Sequence, residues 1–412
     1  MIWLTHPFGN ANVRAVLEAL KEKKSLDFFW TTIGLSTTGF TASNGLLREI
    51  KSLKRRVFSI EKSQIRSHPY REMVRHVSQK IGIPSLIEHE VGWASVDQVW
   101  RSLDRFVAKN LNKSKVSPSL VYHYEDGACE TFRVAKSKGI RCLYDLPIGY
   151  WKKAEQVIEH ERVSNPEFIG MMDGVRDSLE KKERKEEEIS LADRIIACSP
   201  FVRESLVEWG IPAAKIFQVQ FGSPTTSESK RPQSVDLKRK IRLLFVGRID
   251  QRKGIGYLWR ALKNNDWAKS YSLHMIGVLP QNQEPMRPYR DLFTHQGSCS
   301  KEEIFKQMRE ADLLVLPTLF EGQALVILEA MASGIPVLTT TASGASEVIR
   351  EGIDGWIIPS HSEEALAEKL EMIISHREQL SEMGISAAHR AQSFRWKDYG
   401  KEIVAICNGM NQ

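Results

Sequence analysis

Residues 312–334, DLLVLPTLFEGQALVILEAMASG, decide the fold. Residues 312–318 are a short apolar run, rich in branched side chains and interrupted by Pro317, which reads as a buried strand. Residues 324–332 are apolar, mostly unbranched and followed by Gly334, which reads as a helix and its stop. Phe320 to Gln323 must then be a strand-to-helix turn. The first N–H groups of a helix lack intrahelical partners and carry partial positive charge. The amides near Gly322, Gln323 and Ala324 are therefore a candidate seat for a phosphate or sugar oxygen. Glu321 stands just before that seat. Glu329 follows eight positions later, roughly 9 to 12 Å along the axis at ~1.5 Å per residue. Taken singly, Glu329 reads equally as a solvated helix residue and Glu321 as a first-turn partner of the helix dipole.

A second strand-turn-helix lies upstream. Residues 241–246 (IRLLFV) read as a buried parallel strand, and Gly247, Arg248, Lys253 and Gly254 follow in a polar turn before the apolar helix pattern of 255–262. α/β proteins present phosphate sites in this way, at the carboxyl ends of strands. Arg248 offers a planar fork for two phosphate oxygens, and Lys253 a mobile point charge. Cations after a strand are commonly ordinary surface residues. Here the Glu pair accompanies them, at about the span from a hexose across a diphosphate to a ribose.

Strand patterns at 2–4, 27–32, 120–123 and 141–145 alternate with helix patterns at 12–23, 127–138 and 201–209, which predicts parallel sheets with helices on both faces. Residues 223–240, rich in Ser, Thr, Pro and Lys, read as a linker. The expected organisation is an N-terminal unit over 1–222, the linker at 223–240, a C-terminal unit over 241–392, and a closing helix over 393–412 that packs back on the first unit. The run KKERKEEE at 181–188 reads as a solvated helix face. At 412 residues, with 42% hydrophobic and 26% charged side chains, the chain has the composition of a soluble globular protein and length for two cores. It contains no apolar run of ~18 residues and opens on a strand, without a basic-then-apolar leader. The five cysteines, Cys129, Cys142, Cys198, Cys299 and Cys407, are scattered, odd in number and without metal-ligand spacing. A reduced, cytoplasmic protein is the expectation.

GRIDQRKG (247–254), FEGQALVILEAMASGIPVL (320–338), TASGASEVI and DGWIIP together resemble the donor-binding half of glycosyltransferase family 4, retaining enzymes of GT-B fold. EEISLADRIIACSPFVRESLVEWGIPAAKIFQVQFG is similar to that family's last N-terminal segment, and SFRWKDYGKEIV to its closing helix, so the resemblance covers nearly the whole chain. It implies two Rossmann-like parallel-sheet domains with an interdomain cleft, and a nucleoside diphosphate sugar as donor, with UDP or GDP the expected nucleotide. It places Arg248 and Lys253 on the donor diphosphate, Glu329 on the ribose hydroxyls and Glu321 beside the transferred sugar. Gly247, Gly322, Gln323 and Ala324 complete that donor side. Gly9, in HPFGN, matches the glycine loop that faces the diphosphate from the other domain.

The chain departs from the family in two places. The family often carries Gly-Phe-Gly after the first Glu, where this sequence has Gly322, Gln323 and Ala324. In many members a histidine closes the strand facing the donor sugar, where CLYDLPIGYW puts Asp145, a candidate base or ion stabiliser. His123, in VYHYEDGACE, is equally a substrate contact at the cleft mouth or a histidine satisfied at a strand end. The expected reaction is transfer of a hexose to a glycan or lipid-linked acceptor with retained configuration, the departing phosphate oxygen taking the acceptor's proton. Arg248, Lys253 and the helix-start amides would meet the charge developing on the diphosphate. No Asp-x-Asp is placed to hold a metal ion, so neither metal nor cofactor is expected.

Between Arg48 and Lys80 stand ten Lys or Arg and three Glu, a surplus of seven that equals the formal surplus of the whole chain. Leu46, Leu47, Ile50, Leu53 and Val57 can share one helical face there, so residues 46–80 are a candidate for docking on an anionic membrane surface at the inner leaflet. The ordinary alternative is a core-facing helix with a basic outer side. Nucleic-acid binding would leave the second unit unexplained, and the basic segment has only Phe58 and Tyr70 for stacking. A non-catalytic nucleotide-sugar-binding protein is the remaining alternative. A GT-B epimerase or phosphorylase would need catalytic residues that cannot be placed here.

Overall fold

The computed structural model describes residues 1–37, 55–172, 177–224 and 239–410. The first half supplies strands β1 (Ile2–Thr5), β2 (Leu26–Thr31), β3 (Leu35–Ser36), β4 (Val57–Phe58), β5 (Ile65–Ser67), β6 (Leu120–Tyr124), β7 (Arg141–Leu146), β8 (Arg194–Ala197) and β9 (Ile216–Gln218). Seven of them form a sheet in the order β5-β2-β1-β6-β7-β8-β9, and β3 pairs with β4. The second half supplies β10 (Ile241–Val246), β11 (Tyr271–Ile276), β12 (Phe293–Gln296), β13 (Leu313–Leu316), β14 (Val337–Thr340) and β15 (Gly355–Ile358). These make a sheet in the order β12-β11-β10-β13-β14-β15. Neighbouring strands in both sheets run parallel. Strands of this kind are buried on both faces, and β13 and β14 are buried along their whole length.

The helices are α1 (Ala11–Glu22), α2 (Tyr70–Ile81), α3 (Val96–Lys113), α4 (Cys129–Ser137), α5 (Trp151–Ser164), α6 (Leu179–Leu191), α7 (Pro200–Val207), α8 (Ile255–Lys263), α9 (Lys301–Glu310), α10 (Leu325–Ala332), α11 (Glu363–Ser375), α12 (Leu380–Ala391) and α13 (Trp396–Asn408). In each sheet the chain order reverses beside the first strand: β1 lies between β2 and β6, and β10 between β11 and β13. Loops leaving the carboxyl ends diverge at such a point and open a crevice.

Each sheet has its own apolar core, and two segments of the chain pack on the core of the other half. Tyr399, Ile403, Val404 and Cys407 of α13 belong to the first core. Val157 of α5, with Phe168, Met171 and Met172 just beyond it, belongs to the second. Residues 154–172 therefore precede the linker in sequence yet pack on the second core. Of the linker, residues 225–238 lie outside the described residues.

Two expectations change. In the 181–188 run, Lys181, Lys185 and Glu188 are buried, at positions i, i+4 and i+7 of α6. That face lies against α4 and its entry turn, where Glu188 accepts from the amides of Asp126, Ala128 and Cys129 and from the Tyr144 hydroxyl, while Lys181 and Lys185 each meet Asp177 at 2.8 Å. Charges enter a core when each has partners, a condition that sequence spacing does not reveal. Most of the basic helix proposed around residue 50 falls outside the described residues. Its last member, Val57, is in strand β4.

Candidate active site

The site grows from two loops at the carboxyl ends of β10 and β13. After β10 the chain passes Gly247 and Arg248 and makes a tight turn, Gln251–Lys253, capped by the Asp250 carboxylate on the Lys253 amide at 3.1 Å. Gly254 follows with φ +70, and a Cβ there would come 1.9 Å from the carbonyl oxygen of Pro317, so this close approach of the two loops requires glycine. Leu319 N–H and the Thr318 hydroxyl both donate to the Arg252 carbonyl, at 2.8 and 3.1 Å. This stitching sets the Glu321 carboxylate against the Lys253 ammonium, with Arg252 at 3.0 Å from the same oxygen. Arg252 also donates to the Phe320 carbonyl at 3.0 Å. Lys253 and the Glu321 side chain are nearly buried, which strengthens their pairing over that of a surface pair.

The first unit closes on this cluster. Gly149 N–H donates to the Glu321 carbonyl at 3.2 Å, and the Ser199 hydroxyl to the Gly322 carbonyl at 2.6 Å. A Cβ on Gly322 would come 1.9 Å from the Pro147 carbonyl oxygen, so a side chain here would hold the two units apart. Between the units lies a cavity of about 340 Å³. Arg248, Asp250, Arg252 and Phe320 line it from the second unit, and Glu125, Trp151, Asp177, Lys182 and Lys185 face them. Arg248 is half-exposed and lies 3.7 Å from Asp250.

The structure thus pairs Lys253 and Arg252 with Glu321, and puts Arg248 with Arg252 on the wall of a cavity whose lining includes neither Lys253 nor Glu321. Gly247, with φ +153, turns the chain out of β10 directly ahead of Arg248. Other expected residues lie elsewhere. The Ala324 amide, expected to seat a ligand, donates to the Ser343 carbonyl at 3.1 Å. Gln323 accepts from the Phe221 amide at 2.7 Å and so packs on the end of the first unit. Glu329 is part-buried on α10 with Lys301 at 3.3 Å, away from the cavity wall. Gly9 sits under the Phe58 ring, 2.4 Å from where its Cβ would be, and its amide donates to His6 Nδ1 at 3.0 Å.

Asp145 and His123 are sealed in the first core, both 0% exposed. Asp145 accepts from Tyr122 at 2.5 Å and from Tyr399 of α13 at 3.4 Å. Burial raises its pKa to about 7, against the pull of those hydroxyls. Asp145 therefore faces the closing helix and has no path to the cavity. His123 Nδ1 lies 2.6 Å from the Gly127 carbonyl, its ring packs edge-on against Phe132, and burial depresses its pKa to about 4. Of its two readings, the strand-end histidine fits this placement, with Nδ1 partnered and Nε2 buried without a partner.

Sequence reading missed Arg252, hidden in the motif quoted for Lys253, and Glu125, two positions beyond His123. Glu125 follows β6 and lies 3.4 Å from Lys185. Burial raises its pKa to about 7, with Lys185 acting in the opposite direction. An acid following a strand that ends at the cleft was the available signal.

Comparison with known proteins follows this geometry closely. Residues 226–390 match the family described as Glycosyl transferases group 1. This stretch is similar to group 1 glycosyltransferases. It contains both loops of the cluster. Among curated relatives, the amylovoran biosynthesis glycosyltransferase AmsK of Erwinia amylovora is 29% identical over 185 residues, 42% of this chain and 45% of that protein. A D-inositol 3-phosphate glycosyltransferase of Arthrobacter sp. (strain FB24) is 30% identical over 168 residues, 38% of this chain and 40% of that protein. The chain thus spans less than half the length of these relatives. Among solved structures, sucrose-phosphate synthase of Thermosynechococcus elongatus superposes with TM-score 0.66 at 18% identity, covering 99% of this chain and 98% of its own. HepE of Anabaena, solved with UDP-glucose, gives TM-score 0.61 at 15% identity, with 99% of both chains covered. Likeness at that identity carries the fold: two Rossmann-like parallel-sheet units in the GT-B arrangement, the second holding most of the stretch that matches the group 1 family.

Proposed function

We propose that this protein is a retaining glycosyltransferase of family 4, which moves a hexose from a nucleoside diphosphate donor, UDP or GDP, to a glycan or lipid-linked acceptor in cell-surface polysaccharide or glycolipid synthesis. The observation that carries this reading is the Lys253–Glu321–Arg252 cluster, whose Arg252 lines an interdomain cavity together with Arg248. Breaking the bond from the anomeric carbon to the diphosphate leaves negative charge on phosphate oxygens. Arg248 and Lys253 supply two fixed cations there, and Arg252 a third. Glu321 holds Lys253 and Arg252 in place before the donor arrives and faces the transferred sugar's hydroxyls. Glu329 would exchange Lys301 for the ribose hydroxyls. The acceptor hydroxyl attacks from the leaving-group side and its proton passes to the departing phosphate oxygen. Glu125, across the cavity from Arg248, is the first unit's group for orienting that hydroxyl. UDP-glucose in the HepE structure and the role of AmsK in amylovoran biosynthesis support the donor and acceptor classes.

The reading includes a peripheral station at the inner membrane face. Tyr70, Met73, Val77 and Ile81 are exposed along one side of α2, and Trp93 is exposed under the Arg71 guanidinium, 4.4 Å from its ring. An apolar stripe with Lys80 beside it and Arg71 over Trp93 suits an anionic lipid surface. Among the described residues no helix is long and apolar enough to cross a membrane.

Release of nucleoside diphosphate from UDP-, GDP-, ADP- and dTDP-sugars by the purified protein tests the enzyme reading. One donor should be turned over, with the wild-type rate lost in Glu321→Gln. A donor that binds tightly yet is never turned over, with any glycan acceptor, would favour the non-catalytic sugar-nucleotide binder instead.

A further inference from the structure

Helix α5 and residues Leu319–Phe320 separate the donor cavity from a second cavity of about 430 Å³, lined by Lys153, His160, Glu204, Glu208, Thr341 and His361 among others. The reaction proposed above uses none of these side chains. His160 is exposed on α5, and His361 stands in the loop between β15 and α11. Their rings lie 4.5 Å apart, inclined at 69°.

Beneath them is Glu161, whose side chain is 0% exposed. One oxygen accepts from Asn165 at 3.0 Å and Gln251 at 2.5 Å, and the other from Tyr257 at 2.8 Å, with His361 Nδ1 at 2.9 Å. Nδ1 of His361 faces the carboxylate oxygen to which the Tyr257 hydroxyl also donates, so Nδ1 is placed as a donor and Nε2 is the nitrogen turned to another partner. The backbone at His361 has φ +62, an uncommon conformation for a residue with a Cβ, sustained here by the Glu161 contact. Ligand atoms of His160, Glu161 and His361 all lie within 4.8 Å of one another.

A buried carboxylate that fixes one imidazole nitrogen, leaving the other beside a second imidazole, is the arrangement by which proteins orient histidine toward a metal ion. We propose that His160 and His361 bind a nitrogen-preferring divalent transition ion of the Zn²⁺ class, with Glu161 as the positioning carboxylate and the cavity admitting water to the remaining positions. The ion ties the end of α5 to the second unit. His89, Glu90 and Asp177 also share metal-ligand spacing. There, however, the ammonium groups of Lys181 and Lys185 already neutralise Asp177, each at 2.8 Å.

Titration of the tag-free, metal-stripped full-length protein with Zn²⁺ alone, followed by calorimetry, and with Co²⁺, followed by visible absorption, tests the site. One equivalent should bind, with a cobalt spectrum of nitrogen and oxygen ligation and no thiolate band. His160→Ala, an exposed change that leaves the fold intact, and His361→Asn should each weaken binding at least tenfold. Glu161→Gln should weaken it ~10- to 100-fold. Wild-type affinity in His160→Ala, an unchanged cobalt spectrum in that variant, or absence of binding in the wild type would overturn the proposal.

Discussion

The two walls of the interdomain cavity are built differently. The second unit's wall comes from two compact loops, residues 247–254 and 317–322, locked together through the Arg252 carbonyl and the close approach of Gly254 to Pro317. The first unit's wall is assembled from residues far apart in sequence: Glu125 after β6, Trp151 on α5, Asp177, and Lys182 and Lys185 on α6. A site made by contiguous residues is rigid and specialised for a group that does not vary, such as a diphosphate. A wall made by convergence can change one segment at a time, which suits acceptor choice.

If that division holds, substitutions on the two walls should separate donor binding from transfer. Lys253→Ala is expected to have the largest effect, a loss of ~10²- to 10³-fold in kcat/KM for the donor, read from initial rates of nucleoside diphosphate release. A loss below threefold would leave the second wall without its assigned role.

Asp145 tests the comparison from outside the cavity. Its folded-state pKa is raised by burial to about 7, above the ordinary 3.8. The folded chain then holds this proton more tightly than the unfolded chain, so the stability from this group is complete below pH 3.8 and is lost as pH rises to about 7. Asp145→Asn should flatten that slope, gaining on the order of 2 kcal/mol relative to wild type between pH 5 and 8, while donor turnover stays within twofold. Denaturant melts at the two pH values measure the first, and an equal slope in both proteins would contradict it.

On the first wall, Glu125→Gln should lower transfer to acceptor about tenfold and remove an inflection near pH 7 from the rate profile, because burial sets this carboxyl's pKa at about 7. Donor binding should be unchanged. If donor binding fell as far as transfer, the two walls would share one task. The smallest effect belongs to His123→Gln, whose ring lies wholly within the first core: turnover per folded molecule should remain within twofold.

What was legible in the sequence follows the same division. The strand at 241–246 and the helices beginning near 255 and 325 read directly, because apolar runs bounded by glycine carry their own periodicity and stops. Lys253 and Glu321 meet because each loop is short. Asp145 was misplaced because alternation along β7 gives two faces without saying which one α13 covers, and α13 arrives from the far end of the chain. The 181–188 run looked solvated because the partners that bury Lys181 and Lys185, chiefly Asp177 and Asp126, lie outside the run or beyond helical spacing from it. Phe168 and Met171 of the first half fill the second core for the same reason: burial across units is set by topology, after local pattern has done its part.

The central claim is that Lys253 and Arg248, steadied by Glu321, receive the diphosphate of a sugar nucleotide. Thermal unfolding with UDP-, GDP-, ADP- and dTDP-sugars tests it most directly, because a ligand that binds only the folded chain raises its melting temperature with concentration. The account predicts that one of these raises the wild-type Tm, that Lys253→Ala and Arg248→Ala abolish the rise, and that Asp145→Asn keeps it. A rise that survives in Lys253→Ala, or no rise with any sugar nucleotide, would contradict it.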